Sequence, residues 1–183
     1  MKAVFLDRDG VINTKLIGDY VKRTGEFTFI PDIFEVLPAI HEAGMLAIVV
    51  TNQRGIGRGL MSASDLEAVH AMMQRELAHR TGQTLDAIYF CPHDHHSACN
   101  CRKPLPGMLL QAAVDHAIAL SESWMIGDSE SDIEAGIAAG CHTVRVLAKA
   151  EETRAELVAG SLAEGWRGIV EAMRGPRADG RIN

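Results

Sequence analysis

Short apolar runs of strand length alternate along the chain with segments of helical period, which predicts an α/β fold on a mostly parallel sheet. The runs are apolar almost throughout, as in strands covered on both faces, and do not alternate with polar residues. Polar clusters succeed the runs, at the strand ends where an open α/β sheet binds its ligands.

Five strands are expected: Lys2 to Leu6, Met45 to Val50, Ala87 to Phe90, Trp124 to Ile126 and Thr143 to Val146. Ile33, Val36, Leu37 and Ile40 recur at helical spacing, with Gly44 as a stop. Pro38 implies that this helix begins late or kinks, because an interior proline loses a backbone hydrogen bond. Ser64-Asp-Leu-Glu67 fits a capping box for a helix that turns Leu66, Val69, Met73 and Leu77 inward. Met108 to Ala119 and Asp132 to Ala139 give two more helices, and the chain after Leu147 is helical and moderately polar through Trp166, Ile169, Val170 and Met173. We expect one domain over 1–173 and a disordered tail over 174–183, where Gly, Pro and Arg accumulate.

The chain has 183 residues, enough for a sizeable core. A net charge of −6 argues against a nucleic-acid surface, and any anionic substrate must be drawn in locally by a metal or placed cations. No run has the length of a membrane span, and the N-terminus does not resemble a signal peptide. A cytoplasmic monomer with no membrane partner is expected, with its thiols reduced.

The residues just after each strand carry the chemistry. The first strand ends in Asp7-Arg-Asp9-Gly10, the second in Thr51-Asn52-Gln53 and Arg54, the third in a Cys/His segment, and the fourth in Gly127-Asp128. Alone, Asp-x-Asp-Gly is as well read as a turn, and the further acidic ligands of a calcium loop are missing. Placed after an apolar strand and joined by Asp128, it brings carboxylates together that need a cation between them. Hard oxygen donors suit Mg²⁺, and an Asp can attack phosphorus to form an aspartyl phosphate. A cation such as Lys103 would offset the repulsion between that carboxylate and a phosphate.

Asp7-x-Asp9, Thr51, Lys103 ahead of a helix, and Gly127-Asp128-x-x-x-Asp132 together resemble the haloacid dehalogenase (HAD) superfamily of phosphotransferases, in order through most of residues 2 to 146. The resemblance implies a Rossmann-like three-layer sandwich with sheet order 5-4-1-2-3. It implies Asp7 as nucleophile, Asp9 as general acid then base, and Thr51 and Lys103 on the phosphoryl group. It places Mg²⁺ on Asp7, the Asp9 carbonyl and Asp128. TNQRGIGRG, the Cys/His segment and CRKPLPGM are similar to the branch that dephosphorylates D-glycero-D-manno-heptose 1,7-bisphosphate at position 7, toward nucleotide-heptose for lipopolysaccharide or related glycans. Histidinol-phosphate phosphatases are the alternative, and a zinc-stapled binding module without catalysis is a third. Ser129 departs from both phosphatase groups, which commonly carry Lys or Arg there.

Cys91-x-His93-x5-Cys99-x-Cys101 supplies three thiolates and one imidazole, a tetrahedral zinc set. We read zinc in preference to a disulfide, and His95 and His96 as surplus, exposed loop residues. A closed site of this kind does no chemistry, so the zinc is expected to fold a loop beside the crevice. There is no room for a large cap domain. The zinc loop with Arg102, Arg54 and Asn52 is expected to select the small phosphorylated sugar, with Asp19 and Tyr20 on the opposite wall. Cys141 reads as a core residue, and His41, His70, His79, His116 and His142 as histidines without acid–base partners.

Overall fold

The computed structural model describes residues 1–94, 97–147 and 151–175. Six strands form one parallel sheet: β1 (Lys2–Leu6), β2 (Met45–Asn52), β3 (Ala87–Cys91), β4 (Trp124–Gly127), β5 (His142–Val146) and β6 (Leu157–Ala159). Their order is β3-β2-β1-β4-β5-β6, which contains the expected five-strand order and adds β6 outside β5. The added strand is three residues long and pairs Val144 with Leu157 and Val146 with Ala159. A polar approach and so short a run conceal its period.

The helices are α1 (Ile33–Glu42), α2 (Arg54–Gly57), α3 (Ala63–Thr81), α4 (Gly107–His116), α5 (Glu130–Ala139) and α6 (Leu162–Arg174). Successive β1 residues point to opposite faces of the sheet. Val4 and Leu6 join α1, α3 and α6 through Ile33, Leu37, Met73, Leu77 and Ile169. Ala3 and Phe5 join α4 and α5 through Leu109, Ala112 and Ala135. The result is the expected three-layer sandwich.

Several helix bounds differ from expectation: α4 covers Gly107–His116 where Met108 to Ala119 is expected, and α5 starts at Glu130 where Asp132 is expected. α1 begins at Ile33 and runs on through Pro38, so its start is not delayed. Asp32 Oδ2 accepts from the Ala163 amide, which fastens the start of α1 to that of α6. The capping box of α3 is made by Ser62 and Asp65, not by Ser64 and Glu67. Ser64 lies inside the helix, where its hydroxyl meets that of Ser62. Gly44 turns the chain out of α1 with φ +72°, and glycine takes that conformation without steric cost.

Among the described residues no cap domain is inserted. Only residues 82–86 separate α3 from β3, and only 58–62 separate α2 from α3. The link from β1 to α1 supplies a small flap. Arg174, expected to begin the tail, is instead the last residue of α6; from residue 176 onward the expected tail lies outside the described residues, as do His95 and His96.

Candidate active site

Burial of β1 on both faces delivers Asp7 to the crevice above the sheet, and β4 delivers Asp128 beside it. One oxygen each from Asp7, Asp128 and Asp132 lies within 4.8 Å of the others. Gly127 makes room for this: a Cβ there would sit 2.2 Å from that of Asp132. Ser129 N–H and Oγ both donate to Asp132 Oδ2, so the residue after Asp128 caps α5 and aims Asp132 inward. Lys103 Nζ, buried, reaches Asp7 Oδ1 at 2.8 Å, Asp132 Oδ1 at 2.6 Å and the Val50 carbonyl at 2.7 Å.

Charge is unbalanced here. Burial pushes the Asp7 carboxyl up to about 7; Lys103 opposes this, while Asp132 and Asp9 add to it. Burial also raises Asp128, against the pull of Lys15. Lys103 itself is raised, because the two carboxylates outweigh its desolvation. Asp128 Oδ1 is buried with no hydrogen-bond partner, while its Oδ2 accepts from Lys15 Nζ at 2.6 Å. Three clustered carboxylates and an orphaned buried oxygen fit a hard dication such as Mg²⁺.

Asp9 is held differently. Its carboxylate accepts from Arg8 Nη2 at 2.9 and 3.1 Å, Asn13 Nδ2 at 2.9 Å and Gln53 Nε2 at 3.0 Å. Burial would raise its pKa, but Arg8 and these donors outweigh it and hold Asp9 below the usual carboxylate range. Arg8 is wholly buried and its Nη1 lies 3.2 Å from His70 Nε2.

A cavity of about 280 Å³ opens above these groups, lined by Asp7, Asp9, Thr51, Lys103, Asp19 and Tyr20 among others. The flap supplies one wall, with Lys15 and Leu16 beside the expected Asp19 and Tyr20. Asn52 also borders it, but its amide is occupied: Nδ2 donates to the Lys103 carbonyl and Oδ1 accepts from the Lys103 amide. Arg102 lines an adjoining cavity with Asn52, Lys103 and Ser131, and its Nη1 donates to the His93 carbonyl. Arg54 is not among the residues that line the cavity, and it pairs with Asp94 of the Cys/His loop.

Cys91, His93, Cys99 and Cys101 converge with their ligand atoms within 4.8 Å of one another, and all are free thiols or imidazole. Cys91 Sγ lies 3.9 Å from Cys99 Sγ and 3.5 Å from His93 Nδ1, and the latter is 3.3 Å from Cys101 Sγ. These separations are close to the edges of a tetrahedron with metal bonds of about 2.0–2.3 Å. The loop is nested tightly: a Cβ on Gly57 would meet the Pro92 carbonyl at 2.7 Å, and one on Gly107 the Asn100 carbonyl at 2.2 Å.

The sequence pattern does not single out Arg8, Gln53 or Lys15, and it shows Asp132 only as part of a motif. Three histidines read as unpartnered have partners: His70 at Arg8, His41 at Asp86 (2.9 Å) and His142 at Glu156 (2.6 Å). Cys141 is the expected core residue, and burial pushes its thiol up to about 12.

This fold and carboxylate cluster define a HAD-like hydrolase, and a family model described as HAD-hydrolase-like matches residues 100–165. The D-glycero-alpha-D-manno-heptose-1,7-bisphosphate 7-phosphatase of Burkholderia mallei is 38% identical over 185 aligned residues, covering 97% of this chain and 96% of the relative. The D-glycero-beta-D-manno-heptose-1,7-bisphosphate 7-phosphatase of Helicobacter pylori is 45% identical over 136 residues, 74% of this chain and 78% of the relative. A solved structure of D,D-heptose 1,7-bisphosphate phosphatase from B. bronchiseptica, complexed with magnesium and phosphate, has a TM-score of 0.85 at 33% identity. It covers 94% of this chain and 99% of that one. The chain belongs to the family of the D-glycero-D-manno-heptose-1,7-bisphosphate 7-phosphatases.

Proposed function

We propose that the protein hydrolyses the 7-phosphate of D-glycero-D-manno-heptose 1,7-bisphosphate through an aspartyl phosphate on Asp7, in the making of nucleotide-activated heptose. The observation that carries this is the buried Asp7–Lys103–Asp132 triad beside the orphaned Asp128 oxygen, in a chain of this family. Asp7 attacks phosphorus in line, and Thr51 and Lys103 hold the phosphoryl oxygens. The anionic phosphate beside Asp9 must raise its carboxyl against the pull of Arg8, so that it carries the proton it gives to the departing sugar oxygen and then recovers one from water. Asp7, the Asp9 carbonyl and Asp128 would hold Mg²⁺, with Asp132 beside them. Bound there, Mg²⁺ supplies the charge that keeps a buried Asp7 ionised and neutralises the phosphoryl oxygens.

Zinc on Cys91, His93, Cys99 and Cys101 would fold the loop that carries Arg102 and Lys103 to the crevice. Arg102, at the adjoining cavity, suits the second phosphate of a bisphosphate better than a cationic amine. The relatives also favour the heptose substrate over histidinol phosphate. We take the protein to act as a monomer in the cytoplasm, where thiols stay reduced and free to bind zinc.

The test is Mg²⁺-dependent phosphate release from both anomers of the heptose bisphosphate and from histidinol phosphate, in parallel. Heptose bisphosphate should be preferred, and Asp7→Asn should retain the fold and lose turnover. A preference for histidinol phosphate, or wild-type turnover by Asp7→Asn, would overturn the assignment.

A further inference from the structure

Gln53 stands at the end of β2, where its amide N–H donates to the Cys91 carbonyl at 2.8 Å. Its side chain is 1% exposed and lies between two groups that the proposed mechanism uses. Nε2 is 3.0 Å from Asp9 Oδ2 and 2.9 Å from Thr51 Oγ1. An amide nitrogen has two hydrogens, so one serves each partner. Exchanging the amide ends would set Oε1 against a carboxylate, and the electrostatics forbid it. Oε1 itself is buried without a partner.

We infer that Gln53 is a positioning residue that sets Thr51 and Asp9 together, through its two amide hydrogens. The inference deepens the proposed function and rests on its roles for those two residues. Because Thr51 Oγ1 accepts from Gln53, its own hydrogen is left to donate to a phosphoryl oxygen in the cavity that Thr51 lines. The second hydrogen fixes the edge of Asp9 that must meet the leaving group. In that step the Asp7–phosphorus bond forms, the phosphorus–sugar oxygen bond breaks, and the released oxygen takes the proton of Asp9.

Two substrates separate the roles. A sugar alkoxide needs the Asp9 proton to depart, whereas p-nitrophenolate departs without one. Gln53→Met should lower kcat/KM about 100-fold for the heptose bisphosphate and about tenfold or less for p-nitrophenyl phosphate, within the range of general-acid effects. Gln53→Leu, which fills the space without adding charge, should give the same contrast and serves if the Met variant folds poorly. Inhibition by inorganic phosphate should weaken several-fold, as in Thr51→Val. Asp9→Asn is the control. If Asp9→Asn shows the leaving-group contrast and the Gln53 variants lower both substrates equally or not at all, the inference fails. Unchanged phosphate inhibition likewise sinks its Thr51 half. If Asp9→Asn shows no contrast, the general-acid role fails instead.

Discussion

Lys15 and Asp128 are 113 positions apart in the chain, and the ammonium of one meets Oδ2 of the other at 2.6 Å. The pair ties the flap to a carboxylate of the proposed Mg²⁺ site. It also places a cation at Asp128 in a chain whose residue 129 is Ser.

Lys15 therefore repels the dication that Asp128 would share. Its side chain is 52% exposed, which limits the effect to about 1 kcal/mol, or about fivefold. Lys15→Met is expected to tighten Mg²⁺ binding to the stripped protein by up to that factor. Isothermal titration measures this directly, and weaker binding would mean that Lys15 supports Asp128 more than it competes.

Removing Lys103 should be far more costly. It compensates Asp7 and Asp132 with almost no help from solvent. Breaking one partner from such a buried set costs about 3–5 kcal/mol. Lys103→Met is expected to lose that much in urea denaturation and to lose turnover. Adding Asp132→Asn should restore part of the stability and none of the activity.

His70 gives the fold a pH dependence with a definite sign. Burial, then the Arg8 guanidinium, pushes its imidazole from 6.5 down to about 4. Between those values the unfolded chain binds a proton that the folded one refuses. The stability it contributes is therefore complete above pH 6.5 and lost as pH falls toward 4, on the order of 3 kcal/mol in all. Urea denaturation at several pH values should show this slope, and His70→Gln should remove that part of it. An unchanged slope in the variant would assign the acid sensitivity to other groups.

The Cys/His loop and the carboxylate cluster should respond to different metal treatments. A zinc-selective chelator with Mg²⁺ in excess is expected to raise KM about tenfold or more, because Arg102 loses its place. Turnover at saturating substrate should fall much less, since Asn52 still holds the Lys103 main chain at both ends. Equal loss of kcat would show that the loop also sets the lysine.

The strands that pack on both faces are legible in the sequence because each consists almost wholly of apolar residues; Lys2–Leu6 is bounded correctly on that ground. β6 is not, because three residues beside a polar stretch have no measurable period. Ser62 and Ser64 each stand three residues before an acid, and only the extended backbone at Ser62 decides which one caps α3. The proposed catalytic stations are visible as motifs. Their supports are not, since each depends on approaches between distant segments, such as His70 to Arg8 over 62 positions. The Arg54–Asp94 pair is hidden for the same reason, with its members 40 positions apart.

Among the described residues, the short connections on either side of α3 leave the crevice without a door. Substrate and product then need not wait for a domain to swing. The same openness removes a checkpoint. An enzyme that closes can reject a poor substrate during closure; this one must discriminate at first encounter, through walls already in place.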